Sequence, residues 1–172
     1  MIALSRLQLD CIWWLVTPGN PLKINDGLPP LHQRMEAARR LASHPRIKIT
    51  DIEAAIGTRY TFETLWWLKQ RCPGVDFVWI MGADNLANFH RWQRWREIAS
   101  LVSIAVIDRP GSTLKAMHGK GGEYLARQRI HESDGKLLAG RQKPGFIFLH
   151  GPRSEMSSTL LRSAGAGLVA EN

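Results

Sequence analysis

Three consecutive hydroxyl residues near the end of the chain, Ser157, Ser158 and Thr159, are followed shortly by Arg162. At a helix start, hydroxyls, free backbone N–H groups and the helix dipole all attract an anion. Arg162 comes four residues after Ser158 and shares its helical face one turn on. A polyphosphate would suit such a group. A plain serine cap on a surface helix has the same signature, so these residues alone leave both readings open.

A second group follows an apolar run. Gly82 would let a ligand approach the backbone closely, and Asp84 could meet a ribose hydroxyl or a metal–phosphate group, or cap a helix. Beyond it lies a segment of His90, Arg91, Trp92, Arg94, Trp95 and Arg96. A tryptophan face suits a flat heteroaromatic ring, and neighbouring arginines suit a phosphate. The alternative is that the rings pack in the core, which is the better account of Trp95 and an even alternative for Trp92. Lys23, with Thr17 and Asn20, sits in a Pro/Gly-rich stretch and could meet a phosphate as a point charge or stand exposed in a loop. Arg59, Tyr60 and Thr61 precede a helical pattern whose first N–H groups could hold a carboxylate. Capping by Thr61 is the simpler reading.

These residues need elements to hold them. Residues 2–9 have helical spacing, and 11–17 (CIWWLVT) form an apolar run that fits a strand buried on both faces. A loop then extends to Pro30. Helices are predicted over 31–43, with Leu31, Met35, Ala38 and Leu41 on one face, and over 61–71, stopped by Pro73-Gly74. Strands are predicted at 47–50, 76–81, 103–108 and 146–149, the one at 76–81 buried. Short helices are expected from Gly82 to Ala99, and a terminal helix over 158–164. Residues 112–141 are Gly- and Lys-rich, then helical, and the least legible part. Strand and helix alternate and the strands are uniformly apolar, which predicts an α/β fold: one parallel sheet with helices on both faces. Ligands in such sheets bind beyond the carboxyl ends of the strands.

Composition narrows the partners. The 172 residues carry a net charge of +8 and seven tryptophans, with 44% apolar residues, enough for one domain with a core. The charge favours anionic partners, or simply a solubilising basic surface. Two cysteines, Cys11 and Cys72, make no disulfide framework, and a reduced cytoplasm suits them. Residues 11–16 fall far short of the roughly 20 apolar residues a bilayer needs, so no membrane partner is expected. Gly119-Lys120-Gly121 lacks the rest of a phosphate-binding P-loop, no cysteine or histidine has metal-ligand spacing, and there is no G-x-S-x-G elbow.

Taken in order, WWLVTPGNPLK (13–23), GTRYTFETL (57–65), WIMGADNLANFHRWQRW (79–95), VIDRPG (106–111) and MSSTLLR (156–162) resemble bacterial nicotinate mononucleotide adenylyltransferases. The resemblance covers nearly the whole chain and is weakest over 112–142. It implies a Rossmann-like doubly wound sheet of the nucleotidyltransferase type. It also implies transfer of AMP from ATP to nicotinate mononucleotide, with Mg²⁺, giving deamido-NAD and pyrophosphate. On that footing Trp92 stacks on the pyridine ring, and the backbone at Tyr60 and Thr61 holds its carboxylate. Asn20 and Lys23 lie near the mononucleotide phosphate, Gly82 and Asp84 meet the adenosine, and Arg109 borders the adenine. Ser158, Thr159 and Arg162 grip the ATP phosphates and are the catalytic candidates. No protein metal site is implied.

The chain departs from the family at one place. The family opens on a strand and a G-G-[ST]-F-x-P-x-H-x-G-H loop whose histidines contact the ATP phosphates, and this sequence has no such motif. The expectation is therefore a single domain, N-terminally incomplete, lacking its central first strand. The strands at 11–17 and 76–81 should then be about two strand spacings of roughly 4.8 Å apart, with no ladder between them. Rival readings are a related nucleotidyltransferase of the nicotinamide-mononucleotide or phosphopantetheine type, a non-catalytic nucleotide-binding remnant, and a basic nucleic-acid module with stacking tryptophans. Most of the tryptophans lie in core-like runs, so no nucleic-acid partner is expected. The sequence leaves open a homo-oligomer.

Overall fold

The structure, a computed structural model, describes residues 2–19, 22, 26–108 and 117–150. The first half runs α1 (Ile2–Arg6), β1 (Ile12–Leu15), α2 (Leu31–Leu41), β2 (Ile47–Thr50), α3 (Ile52–Ala55) and α4 (Thr61–Arg71). The second runs β3 (Val78–Gly82), α5 (Ala83–Asn88), a 3-10 turn (Phe89–Arg91), α6 (Trp95–Leu101) and β4 (Ser103–Ile107). It ends with α7 (Lys120–Ala126), a 3-10 helix (Glu132–Leu137) and β5 (Phe146–Leu149). The expected terminal helix at 158–164 lies outside the described residues.

Helix α4 shows the local logic. Phe62, Leu65 and Leu68 recur every third residue and are all buried, so one stripe faces the core. The helix stops where the Cys72 N–H bonds the Leu68 carbonyl, just before Pro73-Gly74.

Every strand pair is parallel, and the strands fall into two sheets. β1 pairs with β2, from Ile12↔Ile47 to Leu15↔Thr50. β4 lies between β3 and β5, with Gly82↔Ile107 and Ile107↔Leu149 at the carboxyl edge. No ladder joins β1 to β3, which is the break the sequence led us to expect. The two sheets are nonetheless neighbours: Ile12 of β1 packs into the same apolar cluster as Val78 and Ile80 of β3.

Side chains of β4 and β5 alternate between two cores, as the pleat requires. Ile104, Val106, Phe146 and Phe148 face the larger core with α4, α5 and α6. Ala105, Ile147 and Leu149 face the other, under Ala3 and Leu7 at the chain's start. Helices thus cover both faces of this sheet. On the second face the 3-10 helix comes close to α1: a Cβ on Gly135 would sit 2.7 Å from the Arg6 carbonyl oxygen, so a side chain there would force the two apart. A smaller core of Val16, Met35 and Ala38 joins α2 to the other sheet.

Two strand expectations need correction. The run 11–17 is a strand only over Ile12–Leu15, and it is not buried on both faces, since Trp13 and Trp14 are each 41% exposed. The strand expected at 76–81 is Val78–Gly82, and it is mostly half-buried. Each of these strands has one paired neighbour, as the buried β5 also has, so it is the packing on their faces that is incomplete.

Candidate active site

In a parallel sheet all carboxyl ends lie along one edge, and the segments leaving that edge build the site. After β2 the chain turns through α3 into α4. Gly57 makes the corner with φ +69°, a left-handed conformation that glycine adopts freely. Tyr60 is the N-cap of α4, with φ −117° and ψ 134°, and no side chain caps the helix. The Thr64 N–H closes the first turn onto the Tyr60 carbonyl at 3.2 Å. The N–H groups ahead of it are the ones a helix start leaves without an intrahelical partner. Capping by Thr61 is therefore not what happens: Thr61 is the first helical residue, and its turn is open to an anion.

The corner rests on a buried polar group. Glu53 of α3 is only 6% exposed, and its Oε1 accepts the Thr64 hydroxyl at 3.4 Å. Its carbonyl accepts the Thr58 N–H at 2.9 Å, and the Thr58 and Thr64 hydroxyls are 3.0 Å apart. Sequence reading passed over Glu53, because a lone acid on a short segment looks like a solvated side chain.

Gly82 ends β3 and is itself the N-cap of α5, with ψ 161°. Asp84 is not the cap. It stands exposed in the first turn of α5, where its charge suits the helix dipole. Trp92 follows the 3-10 turn, half-buried, with its N–H on the Phe89 carbonyl at 3.0 Å. Phe89 and Trp79 meet it in T-shaped contacts at 5.5 and 6.2 Å. Trp95 packs against Phe89 and Tyr124, as its core reading required. One apolar cluster links the pieces: it contains Phe62 next to Thr61 and Ala83 next to Gly82, with Trp92 against it.

Two of the arginines near Trp92, Arg94 and Arg96, are engaged elsewhere. Arg94 lies 3.7 Å over the Phe62 ring and forms an ion pair with Glu97. The Glu97 hydrogen bond raises the Arg94 pKa, and the same bond lowers that of Glu97. Arg96 lies over Trp95 at 4.6 Å. Arg34 of α2 holds the loop after β1: it donates to the carbonyls of Thr17 (2.6 Å), Pro18 (3.2 Å) and Pro29 (2.9 Å). Only the fold brings these carbonyls to one guanidinium.

A cavity of about 560 Å³ opens along α4 between Trp66 and Arg94. Thr58 and Phe62, on either side of Tyr60 and Thr61, line it, whereas Tyr60, Thr61, Gly82 and Trp92 do not. Asn20, Lys23, Arg109, Ser157, Ser158, Thr159 and Arg162 lie outside the described residues. Among the described residues, no group of three or more His, Cys, Asp or Glu could hold a metal, and no helix is long and apolar enough to cross a membrane.

The cytidylyltransferase-like family profile matches residues 2–164. A "Probable nicotinate-nucleotide adenylyltransferase" of Methylorubrum extorquens (strain PA1) is 56% identical over 161 residues, covering 94% of this chain and 87% of that one. Proteins of the same description from Bradyrhizobium sp. (strain ORS 278) and Brucella abortus (strain 2308) are each 52% identical. They cover 95% and 94% of this chain, and 85% and 83% of their own lengths. The chain belongs to the nicotinate-nucleotide adenylyltransferases of the cytidylyltransferase-like family. As in a Rossmann-like nucleotidyltransferase, the strands of the described residues are parallel. Membership of this family sets aside the phosphopantetheine-type and nucleic-acid readings.

Proposed function

We propose that the chain transfers AMP from ATP to nicotinate mononucleotide in the cytoplasm, giving deamido-NAD and pyrophosphate for NAD synthesis. The observation that carries this is the α4 N-terminus: its first-turn donors have no side-chain cap and border the same apolar cluster as Trp92. A pyridine carboxylate on those donors and a pyridine ring against Trp92 use both features at once.

The chemistry needs positioning and charge neutralisation more than acid–base work. An oxygen of the mononucleotide phosphate attacks the α-phosphorus of ATP, the new P–O bond forms, and the bond to the β-phosphate oxygen breaks as pyrophosphate leaves. In this reading Asn20 and Lys23 hold the attacking phosphate. Gly82 and Asp84 receive the adenosine, and Arg109 borders the adenine. Ser158, Thr159 and Arg162 bind the ATP phosphates. Mg²⁺ fits this donor set as a partner of the nucleotide, since it is commonly held by one or two carboxylates and substrate phosphates. Asp84 is the exposed carboxylate available to it, and the ion neutralises phosphate charge.

We also read the 172 residues as one nucleotidyltransferase-like domain whose sheet takes one further strand between β1 and β3. The missing ladder there, and the shared packing of Ile12 with Val78 and Ile80, support this.

The test is pyrophosphate release from ATP with Mg²⁺ and either nicotinate or nicotinamide mononucleotide. Release with strong preference for the acid is expected, because an amide NH₂ would oppose backbone donors. Equal rates would remove the carboxylate site from the reading, and no release with either substrate would overturn the function.

A further inference from the structure

We propose that Glu53 is a positioning residue, which sets the α3–α4 corner so that the backbone donors at Tyr60 and Thr61 meet the substrate carboxylate. This rests on the functional reading above and deepens it. The starting observation is the placement of an acid. Glu53 lies on a four-residue helix where outward-facing positions are available, yet it is 6% exposed. Burying a carboxylate is costly unless hydrogen bonds offset the lost water. Placing a negative charge beside an anion site also works against that site in Coulomb terms. Its position is understandable if the group orders something the site needs.

What it orders is visible in the bonds. A carboxylate oxygen and a backbone carbonyl are both acceptors for a hydroxyl proton. The Thr64 proton therefore points to Glu53 Oε1 at 3.4 Å, with the Tyr60 carbonyl a second acceptor at the same distance. The Thr64 oxygen is then left to accept the Thr58 hydroxyl at 3.0 Å. Thr58 is held a second time by its N–H on the Glu53 carbonyl at 2.9 Å. The Glu53 side chain thus meets the first turn of α4 through Thr64, while its backbone carbonyl and the Thr64 hydroxyl hold the corner residue Thr58. The segment spanned by these bonds includes Gly57, whose φ of +69° marks a backbone that a glycine leaves free to move. Tyr60 and Thr61 lie between Thr58 and Thr64, so the direction of their N–H groups follows from this clasp.

The test is calorimetric titration of the full chain with nicotinate mononucleotide, nicotinamide mononucleotide and ATP, which reads binding without requiring turnover. Thr64→Val keeps the shape and removes the hydroxyl. It should weaken the acid mononucleotide about tenfold and bring its affinity toward that of the amide, while ATP changes by less than about twofold. Thr64→Ser restores the hydroxyl and should return the acid to within about twofold of the parent. Glu53→Ala should resemble Thr64→Val. Three results would overturn the proposal: Thr64→Val binding the acid as tightly as the parent, equal loss of acid, amide and ATP, or no rescue by Thr64→Ser. If the parent chain itself binds neither mononucleotide, the functional reading fails first, and this proposal falls with it.

Discussion

The two sheets are built from similar apolar sequence, yet one is a core and the other is not. In the three-stranded sheet, Ser103 to Val106 of β4 and all of β5 are buried between helices on both faces. Even the polar Ser103 is satisfied, donating to the Leu138 carbonyl at 3.0 Å and accepting the Gly145 N–H at 3.1 Å. In the two-stranded sheet each strand has one partner, Trp13 and Trp14 are 41% exposed, and the fully buried core is Val16, Met35 and Ala38. An apolar run therefore states an appetite for burial. What packs on the strand's two faces decides whether it is met: β5 has one paired neighbour, as β1 has, yet is buried because both its faces are covered.

That contrast makes the largest prediction. Phe146→Ala, at a position with no exposure, should cost about 3–5 kcal/mol, whereas Trp14→Ala should cost about 2 kcal/mol or less. Denaturant unfolding of both variants compares them, and equal losses would erase the distinction between the sheets.

A second prediction concerns the site on the larger core. Trp92→Ala should weaken nicotinate mononucleotide by about 1–3 kcal/mol and leave ATP binding unchanged, by analogy with stacking of bases on aromatic rings. A change confined to melting temperature would make Trp92 a packing residue alone.

The third sharpens how the larger half closes. Burial works against the charge on Glu132, but the side-chain and backbone hydrogen bonds from His150 and the charges of Arg6 and His150 outweigh it. They hold the carboxyl below its usual range. Glu132 thereby ties α1, through Arg6, to the end of β5, with His150 Nδ1 at 2.9 Å. A folded pKa below the unfolded one contributes stability that is complete above the unfolded value and lost as pH falls through the folded value. Glu132→Gln should cost about 1–2 kcal/mol near neutral pH and flatten the acid side of the stability–pH curve. An unchanged acid limb would show that the cluster adds nothing.

The smallest effect is expected in the other half. Arg34→Ala should free the carbonyls after β1 and cost about 1 kcal/mol of stability. A much larger loss would mean that the two-stranded half depends on that loop more than its small core suggests.

Much of this was written in local sequence. Helix α4 and strands β2 and β5 fall at their expected limits, because each is a short periodic or apolar run bounded by Pro, Gly or polar residues. Trp92, Thr61 and Gly82 could be singled out because a large ring, a helix start and a glycine after a strand are chemical signals in themselves. Their common border with one apolar cluster was not legible, since it joins residues about twenty to thirty positions apart. Residues 120–137 gave no clear pattern because their short helices are held by packing on α5 and β5 more than by periodicity of their own.

The sequence by itself determined most of the elements, their parallel pairing as a class, and the family to which the ordered motifs point. Each of these depends on residues close together in the chain or on runs long enough to be periodic. The tertiary structure decided which strands go half-covered, that Arg34 clasps a loop, and that Glu53 is buried beneath the corner of α4. Burial and hydrogen-bond partnership are properties of what the fold brings alongside a residue, and an acid or an arginine reads the same in sequence whether water or a backbone carbonyl is its neighbour.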